Sequence, residues 1–262
     1  MPRANATDKR LAGWQLISLR PAGEHAPLRR AAAARGARVL ALSPWRLRLR
    51  DDPATRAALR AALQAQRVVF TSPAAVKAAA AMRRLRAGRE QVWLAVGEGT
   101  ARALRRAGVA RVVAPARMDS EGLLALPDLQ RVRGLSIGLV TAPGGRGAIA
   151  PALAARGARI LRCDAYEREP IAWTAATLAR LRALSEPYAL AVSSAEALRL
   201  SLNGLPPELA DKLRGARAVA ASPRLAAVAR AAGFTDVIVA DSPQPADLVA
   251  AAARAVARLP LA

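Results

Sequence analysis

Two pairs of adjacent hydroxyls are the groups best placed to meet a ligand: Thr71-Ser72 in "VVFTSPAAV" and Ser193-Ser194 in "LAVSSAEAL". Each pair ends a short apolar run and opens an alanine-rich stretch, the pattern of a strand that turns directly into a helix. Other junctions of this kind carry Arg20-Pro21, Gly97-Glu98-Gly99-Thr100, the stretch from Thr141 to Gly147 with Gly145 and Arg146 near its centre, and Ser222. A helix start offers free backbone N–H groups and the positive end of the helix dipole, so it receives anions well. A serine there also serves as an ordinary N-cap, and both readings stand for Ser72 and Ser194. As a set, junctions rich in hydroxyls, glycine and arginine, with almost no aspartate, suit an anionic ligand held by neutral donors and guanidinium groups. They do not suit a divalent metal or a nucleotide–magnesium complex, which need carboxylates.

Nucleophilic chemistry has little to build on. Cys163 is the only cysteine and His25 the only histidine, so a His/Cys zinc site is two ligands short and an intramolecular disulfide is impossible. Cys163 ends the strand-like "ARILRC" and reads as a small buried side chain, while the solitary His25 lies in a helix-start context and gives neither a Cys–His pair nor a Ser–His–Asp triad a base placed by sequence. The short "GEG" at Gly97 is not a dinucleotide fingerprint, and "TAPGGRG" lacks the lysine and spacing of a phosphate loop. Nothing in the pattern calls for a cofactor.

The charge balance points the same way as the junctions. Lys and Arg number 41 against 19 acidic residues, and only Lys9, Lys77 and Lys212 are lysines. An arginine- and alanine-rich bias of genomic origin accounts for much of this, because most arginines fall on the outer faces of expected helices. The field still attracts polyanions. There is no concentrated basic run, and two Phe and two Tyr offer little for base stacking, so specific nucleic-acid binding is not expected. A ligand with many carboxylates fits. Apolar residues make up 53% of the chain, which marks a globular protein, and no apolar run approaches the roughly 20 residues of a membrane span. Residues 1–12 lack the apolar centre of a signal peptide and read as a disordered tail on a cytoplasmic protein.

The elements that position these junctions occur twice. "RGARVLAL" from Arg35 returns as "RGARILRC" from Arg156, "FTSPAAV" from Phe70 as "VSSAEAL" from Val192, and "LRRAGVARVVAPA" from Leu104 as "ARAAGFTDVIVAD" from Ala229. Three landmarks in the same order and at nearly constant separation indicate an internal duplication. Each half alternates short apolar strands with helices. In the first half the strands are "WQLISL", "RVLAL", "RVVFT", "VWLAV" and "RVVAP", and the helices are Gly23–Arg35, Pro53–Ala65 capped by Asp52, Pro73–Leu85, Glu98–Ala107 and Asp119–Leu126. The second half repeats this through a last helix at Pro245–Arg258. Such alternation predicts an α/β fold of two doubly wound parallel-sheet domains. "SPWRLRLRDD" and "DAYEREPIAW" occupy equivalent places and read as extended crossing segments joining the domains, with a cleft between them. The expected domains are 13–42 together with 171–262, and 43–170.

Taken together, "VVFTSPAAV", "LAVGEGTARAL", "DSEGLL", "APGGRG…L…RGA", "CDAYERE", "AVSSAEAL" and "SPQPADLVAA" resemble the uroporphyrinogen-III synthase family, from Trp14 to Arg258. The order and spacing of these segments carry the resemblance, since none is specific alone. It implies a cytoplasmic, monomeric enzyme without a cofactor that cyclises hydroxymethylbilane, losing water and inverting ring D through a spiro intermediate, in haem biosynthesis. The substrate's eight carboxylates would explain a cationic site, and hydroxymethylbilane synthase (porphobilinogen deaminase) would be the partner that hands it over. Neither a membrane nor a specific nucleic acid is implied as a partner. Tyr166 matches the family's tyrosine that assists departure of the hydroxyl. Thr71, Ser72, Thr100, Ser193 and Ser194 match positions that line the family's cleft, and Arg20 matches the arginine common after the first strand; Gly97, Gly145, Arg146 and Ser222 join the expected substrate-binding set from their places at strand ends. Two departures stand out. Many members carry arginine where Thr141 stands, and the usual Gly-Pro-Thr-Thr loop is here Ser222-Pro223-Arg224-Leu225. The alternative is a catalytically inactive ligand-sensing module of the same fold.

Overall fold

The computed structural model describes residues 10–144 and 147–256. In chain order its first elements are β1 (Gln15–Ser18), α1 (Ala26–Ala33), β2 (Arg38–Ala41), β3 (Trp45–Leu49), α2 (Pro53–Leu63), β4 (Arg67–Phe70), α3 (Pro73–Met82), β5 (Val92–Ala95), α4 (Glu98–Arg106) and α5 (Ser120–Leu124). A 3-10 turn at Pro127–Leu129 precedes β6 (Ser136–Thr141), α6 (Ile149–Ala155), β7 (Arg159–Asp164), β8 (Tyr166–Pro170) and α7 (Ala175–Arg182). The remainder is β9 (Tyr188–Val192), α8 (Ala195–Gly204), α9 (Pro207–Arg214), β10 (Arg217–Ala220), α10 (Pro223–Ala231), β11 (Val237–Val239) and α11 (Pro245–Val256).

Local chemistry sets the helix starts. Asp52 caps α2 by accepting from the Thr55 amide at 2.9 Å and the Thr55 hydroxyl at 2.7 Å, while Pro53 supplies a first residue that needs no partner. The sequence predicts α1 from Gly23, but Gly23 sits at φ +83 in a turn and His25 is the N-cap, so the helix begins at Ala26. The expected strand "RVVAP" is reduced to one bridge between Leu94 and Val113. Val113 makes both of its ladder bonds there, donating to Trp93 and accepting from Ala95. The next position that would donate on that side is 115, a proline, which has no N–H to give.

The chain divides into two compact units, one of residues 1–46 and 169–262 and one of residues 47–168, and it passes between them within β3 and again within β8. The first unit holds a five-stranded sheet in the order β11-β10-β9-β1-β2, the second a four-stranded sheet in the order β5-β4-β6-β7. All these neighbours are parallel. β3 and β8 pair with each other, and the ion pairs Arg46–Glu169 and Arg48–Glu167 lie along that ribbon. The two sheets reproduce the duplication except at one edge, where β11 answers to the single bridge at Val113. β9 and β1 are central in one, as β4 and β6 are in the other, with β2 answering to β7 and β10 to β5.

In the second unit both sheet faces are covered. Along β4, Val68 and Phe70 join one apolar cluster and Val69 the other, and Leu94 in β5 alternates likewise with Trp93 and Ala95. This is the period-two alternation of a strand buried on both sides. Phe70 and Trp93 stack with centroids 5.5 Å apart. α2 runs so close over β6 that a Cβ on Gly138 would stand 1.9 Å from the Ala62 carbonyl oxygen, so that position requires glycine. Among the described residues, no helix is long and apolar enough to cross a membrane.

Candidate active site

The carboxyl ends of β4 and β6 bring the first hydroxyls together. These strands pair with Phe70 opposite Val140, which sets Thr71 beside Thr141, and the Thr71 hydroxyl donates to the Thr141 Oγ1 at 2.8 Å. One residue on, Ser72 is extended (φ −161, ψ 158) and caps α3 by accepting from the Ala75 amide at 3.1 Å, ahead of Pro73 at the first helical position. The same Ser72 hydroxyl lies 3.0 Å from the Tyr166 hydroxyl, 94 residues away in sequence. Tyr166 opens β8 just after β7, with 5% of its surface exposed, so its ring is fixed by packing and its hydroxyl by Ser72.

These groups line a pocket of about 180 Å³ within the second unit. Thr71, Ser72, Thr141 and Tyr166 form one part of its wall; Arg162, Arg168 and Ser120 add further polar groups. Arg162 pairs with Asp164 at 2.9 Å and donates to the Ala142 carbonyl at 3.3 Å, which holds its guanidinium at the pocket edge. A Cβ at Gly144, where φ is +79, would stand 3.6 Å from Nη1 of Arg168, so this loop passes close to that guanidinium. No Asp or Glu is among the described lining residues. The wall therefore offers hydroxyl donors and two cations, an arrangement for a carboxylate-bearing ligand and for a hydrogen bond to a departing oxygen. Among the described residues, no group of three or more His, Cys, Asp or Glu is placed to hold a metal ion.

Other sequence-predicted residues lie elsewhere. Gly97 caps α4 in extended conformation against Met118, whose Cβ would be 3.0 Å from an added side chain, and Thr100 is buried at 2% exposure; neither lines the pocket. Gly145 and Arg146 lie outside the described residues. Arg20, Ser193, Ser194 and Ser222 follow strands of the first unit's sheet at their carboxyl ends. There Ser194 and Ser222 cap α8 and α10, accepting from Ala197 at 3.2 Å and Leu225 at 3.3 Å. Ser193 is exposed. Burial holds the Arg20 guanidinium below its ordinary pKa, offset in part by Glu24.

Sequence reasoning did not single out Arg162, Arg168 or Ser120 as site residues. Arg162 and Asp164 stand two apart in a strand and so share a face, the one signal that could have found the first of them. Cys163 is fully buried, its Sγ 3.8 Å from the Thr55 carbonyl oxygen, and burial pushes its pKa up to about 11, which matches an inert core thiol.

The fold and site define a class: an α/β protein of parallel sheets whose strand carboxyl ends carry hydroxyls and guanidinium groups around a pocket. Known proteins narrow this. The family model described as uroporphyrinogen-III synthase HemD matches residues 26–250. The uroporphyrinogen-III synthase of Escherichia coli is 34% identical over 152 residues, and that of Salmonella typhimurium 33% identical over 153. Each match covers 57% of this chain and 62% of the relative's length. A mutant uroporphyrinogen III synthase of Thermus thermophilus superposes with a TM-score of 0.64 at 20% identity, covering 94% of this chain and 99% of that one. The Helicobacter pylori uroporphyrinogen-III synthetase gives 0.59 at 13% identity, covering 92% and 99%. At those identities the structural likeness establishes the fold. The chain belongs to the uroporphyrinogen-III synthase family.

Proposed function

We propose that this protein is a uroporphyrinogen-III synthase, a cyclising hydro-lyase that converts hydroxymethylbilane to uroporphyrinogen III in haem biosynthesis. The observation that carries this reading is the Ser72–Tyr166 hydroxyl contact, 3.0 Å, in a pocket edged by Arg162 and Arg168. The reaction begins as a C–OH bond breaks, so a donor must meet the oxygen as charge develops on it. The Tyr166 hydroxyl donates to that oxygen, and Ser72, held by its cap to Ala75, fixes the phenol's direction. Thr71 and Thr141 hold each other and leave lone pairs and one proton for the ligand. Arg162 and Arg168 take carboxylates, as do Arg20, Ser193, Ser194 and Ser222. Because the free substrate also closes without inversion, selecting the product is a matter of holding the chain ends in one arrangement. This requires positioned donors more than a strong base.

On this reading the protein works as a cytoplasmic monomer, needs no cofactor, and receives its substrate from hydroxymethylbilane synthase. The test couples it to that enzyme and separates the uroporphyrin isomers after oxidation. Predominant type III isomer supports the proposal. Type I isomer alone refutes it, and if a porphyrin still binds, the chain is an inactive ligand-sensing module instead.

A further inference from the structure

His25 is the only histidine of the chain, it is 4% exposed, and the reaction as described makes no use of it. Its Nδ1 lies 2.9 Å from the Ser18 hydroxyl at the end of β1, and its Nε2 lies 2.7 Å from the Ser43 hydroxyl just after β2. Ser18 is fully buried, so one of these bonds answers a hydroxyl with no access to water. The bond to Ser43 does something else: it fastens the start of α1 to the neighbouring strand's exit.

Between Ser18 and His25 runs the short segment that carries Arg20. Its ties are few. Ala22 donates to the Trp45 carbonyl at 3.0 Å, Glu24 to the Pro21 carbonyl at 3.0 Å, and Gly23 turns the chain at φ +83. The imidazole closes this segment into a loop at both ends. β1 pairs with β2 with Ser18 opposite Ala41, and with β9 with Ser18 opposite Ala191. Continuing both registers by two residues puts Arg20 between Ser43 and Ser193. On that register the hydroxyl that His25 grips stands across from the arginine, whose charge acts on the imidazole.

We infer that His25 is a positioning residue: by joining Ser18 to Ser43 it fixes the β1–α1 turn, and so the direction in which the Arg20 guanidinium meets a ligand carboxylate. The serines adapt to either tautomer, since a hydroxyl donates or accepts as the facing nitrogen requires. A guanidinium aimed by its backbone loses less freedom on binding, so the tie acts on affinity and leaves the chemical step alone.

This inference rests on the proposed activity, and a double-mutant cycle separates the two. Wild-type protein is first shown to yield the type III isomer, which judges the activity alone. Arg20→Gln, Ser43→Ala and His25→Gln are then compared singly and in pairs, by KM and kcat for hydroxymethylbilane and by fluorescence titration with uroporphyrin III, a probe that needs no turnover. Arg20→Gln is expected to raise KM about tenfold, the loss of one charged hydrogen bond. Ser43→Ala is expected to raise it about threefold with kcat unchanged, and the amide of His25→Gln, able to bond one serine, to fall at or below that loss. In the Arg20→Gln background neither change adds anything further. Full additivity with Arg20→Gln, or a fall in kcat at constant KM, overturns the inference. Ser43→Ala keeps the imidazole and its bond to buried Ser18, so the cycle can be read even if the His25 variant folds poorly.

Discussion

A chain with one histidine allows a clean acid titration. Burial lowers the His25 pKa from its ordinary 6.5 to about 4, with Arg29 and Arg20 adding to the effect and Glu24 opposing it. In the unfolded chain the imidazole takes up a proton near pH 6.5; in the folded protein it does so only near pH 4. The stabilisation is therefore complete above pH 6.5, falls as pH drops toward 4, and falls no further below that. Linkage over this shift amounts to about 2 kcal/mol by pH 5 and about 3 kcal/mol in all. Ordinary carboxylates titrate mostly below about pH 4.5, so the interval between 6.5 and 5 belongs to His25. Urea denaturation at half-unit steps of pH should show unfolding coupled to uptake of about one proton near pH 5.5. In His25→Gln the slope over that interval should vanish, whatever its absolute stability. The single imidazole signal in an NMR titration of folded protein should move near pH 4. A midpoint near 6.5, or an unchanged slope in His25→Gln, would refute the reasoning.

Three further outcomes are expected. Tyr166→Phe should lower kcat by about tenfold or more while costing no more than about 1 kcal/mol of stability, since Ser72 keeps its bond to the Ala75 amide; stopped-flow turnover and a melting curve check this. Gly138→Ala should destabilise the second unit by about 3 kcal/mol or more, because α2 must move to admit a methyl that would stand 1.9 Å from the Ala62 oxygen; soluble yield and denaturation midpoint report it. Cys163 should resist a thiol reagent in the native state and react on addition of denaturant, since it is fully buried with its pKa raised to about 11; rapid native labelling would contradict the packing.

Most of the strands and helix starts were legible because they rest on local chemistry. Asp52-Pro53 and Ser72-Pro73 announce caps, and the apolar runs of β4, β5 and β6 announce strands buried on both faces. Where the reading failed, the cause was specific. "RVVAP" has the composition of a strand, but Pro115 removes the donor that would have extended its ladder past Val113. Gly23 reads equally as a helix start or a turn, and only its backbone angle decides. The site was half visible. Thr71, Ser72 and Tyr166 are found from sequence, but that Ser72 meets Tyr166 depends on β6 and β7 lying on one side of β4, a matter of strand order that no local pattern encodes. Arg168 and Ser120 reach the pocket for the same reason. His25 shows the converse: its neighbourhood in sequence suggests no partner, and both partners come from other strand ends.

The duplication makes the two sheet edges comparable position by position, and their differences argue for divided labour. Ser72 and Ser194 are equivalent caps with nearly the same bond to the residue three on, but only Ser72 also meets a phenol. A cap alone thus accounts for the Ser194 side chain's hydrogen bonding and does not account for that of Ser72. Thr141 and Arg20 are equivalent as well: Thr141 ends β6 beside Thr71-Ser72, and Arg20 comes just after β1 on the register that leads to Ser193-Ser194. In one sheet this position is a hydroxyl bonded to Thr71; in the other it is a guanidinium. Asp164 and Ser43 correspond in turn, the first paired with Arg162 and the second bonded to His25. A carboxylate at position 43 would add to Glu24 in offsetting the Arg20 charge, whereas a serine held by an imidazole adds no charge. On the proposed activity, the second unit keeps the proton donor and the first keeps Arg20, a cation offset in part by Glu24. On that reading, Ser43 at the place equivalent to Asp164 leaves Arg20 with one carboxylate fewer to compete with the substrate's.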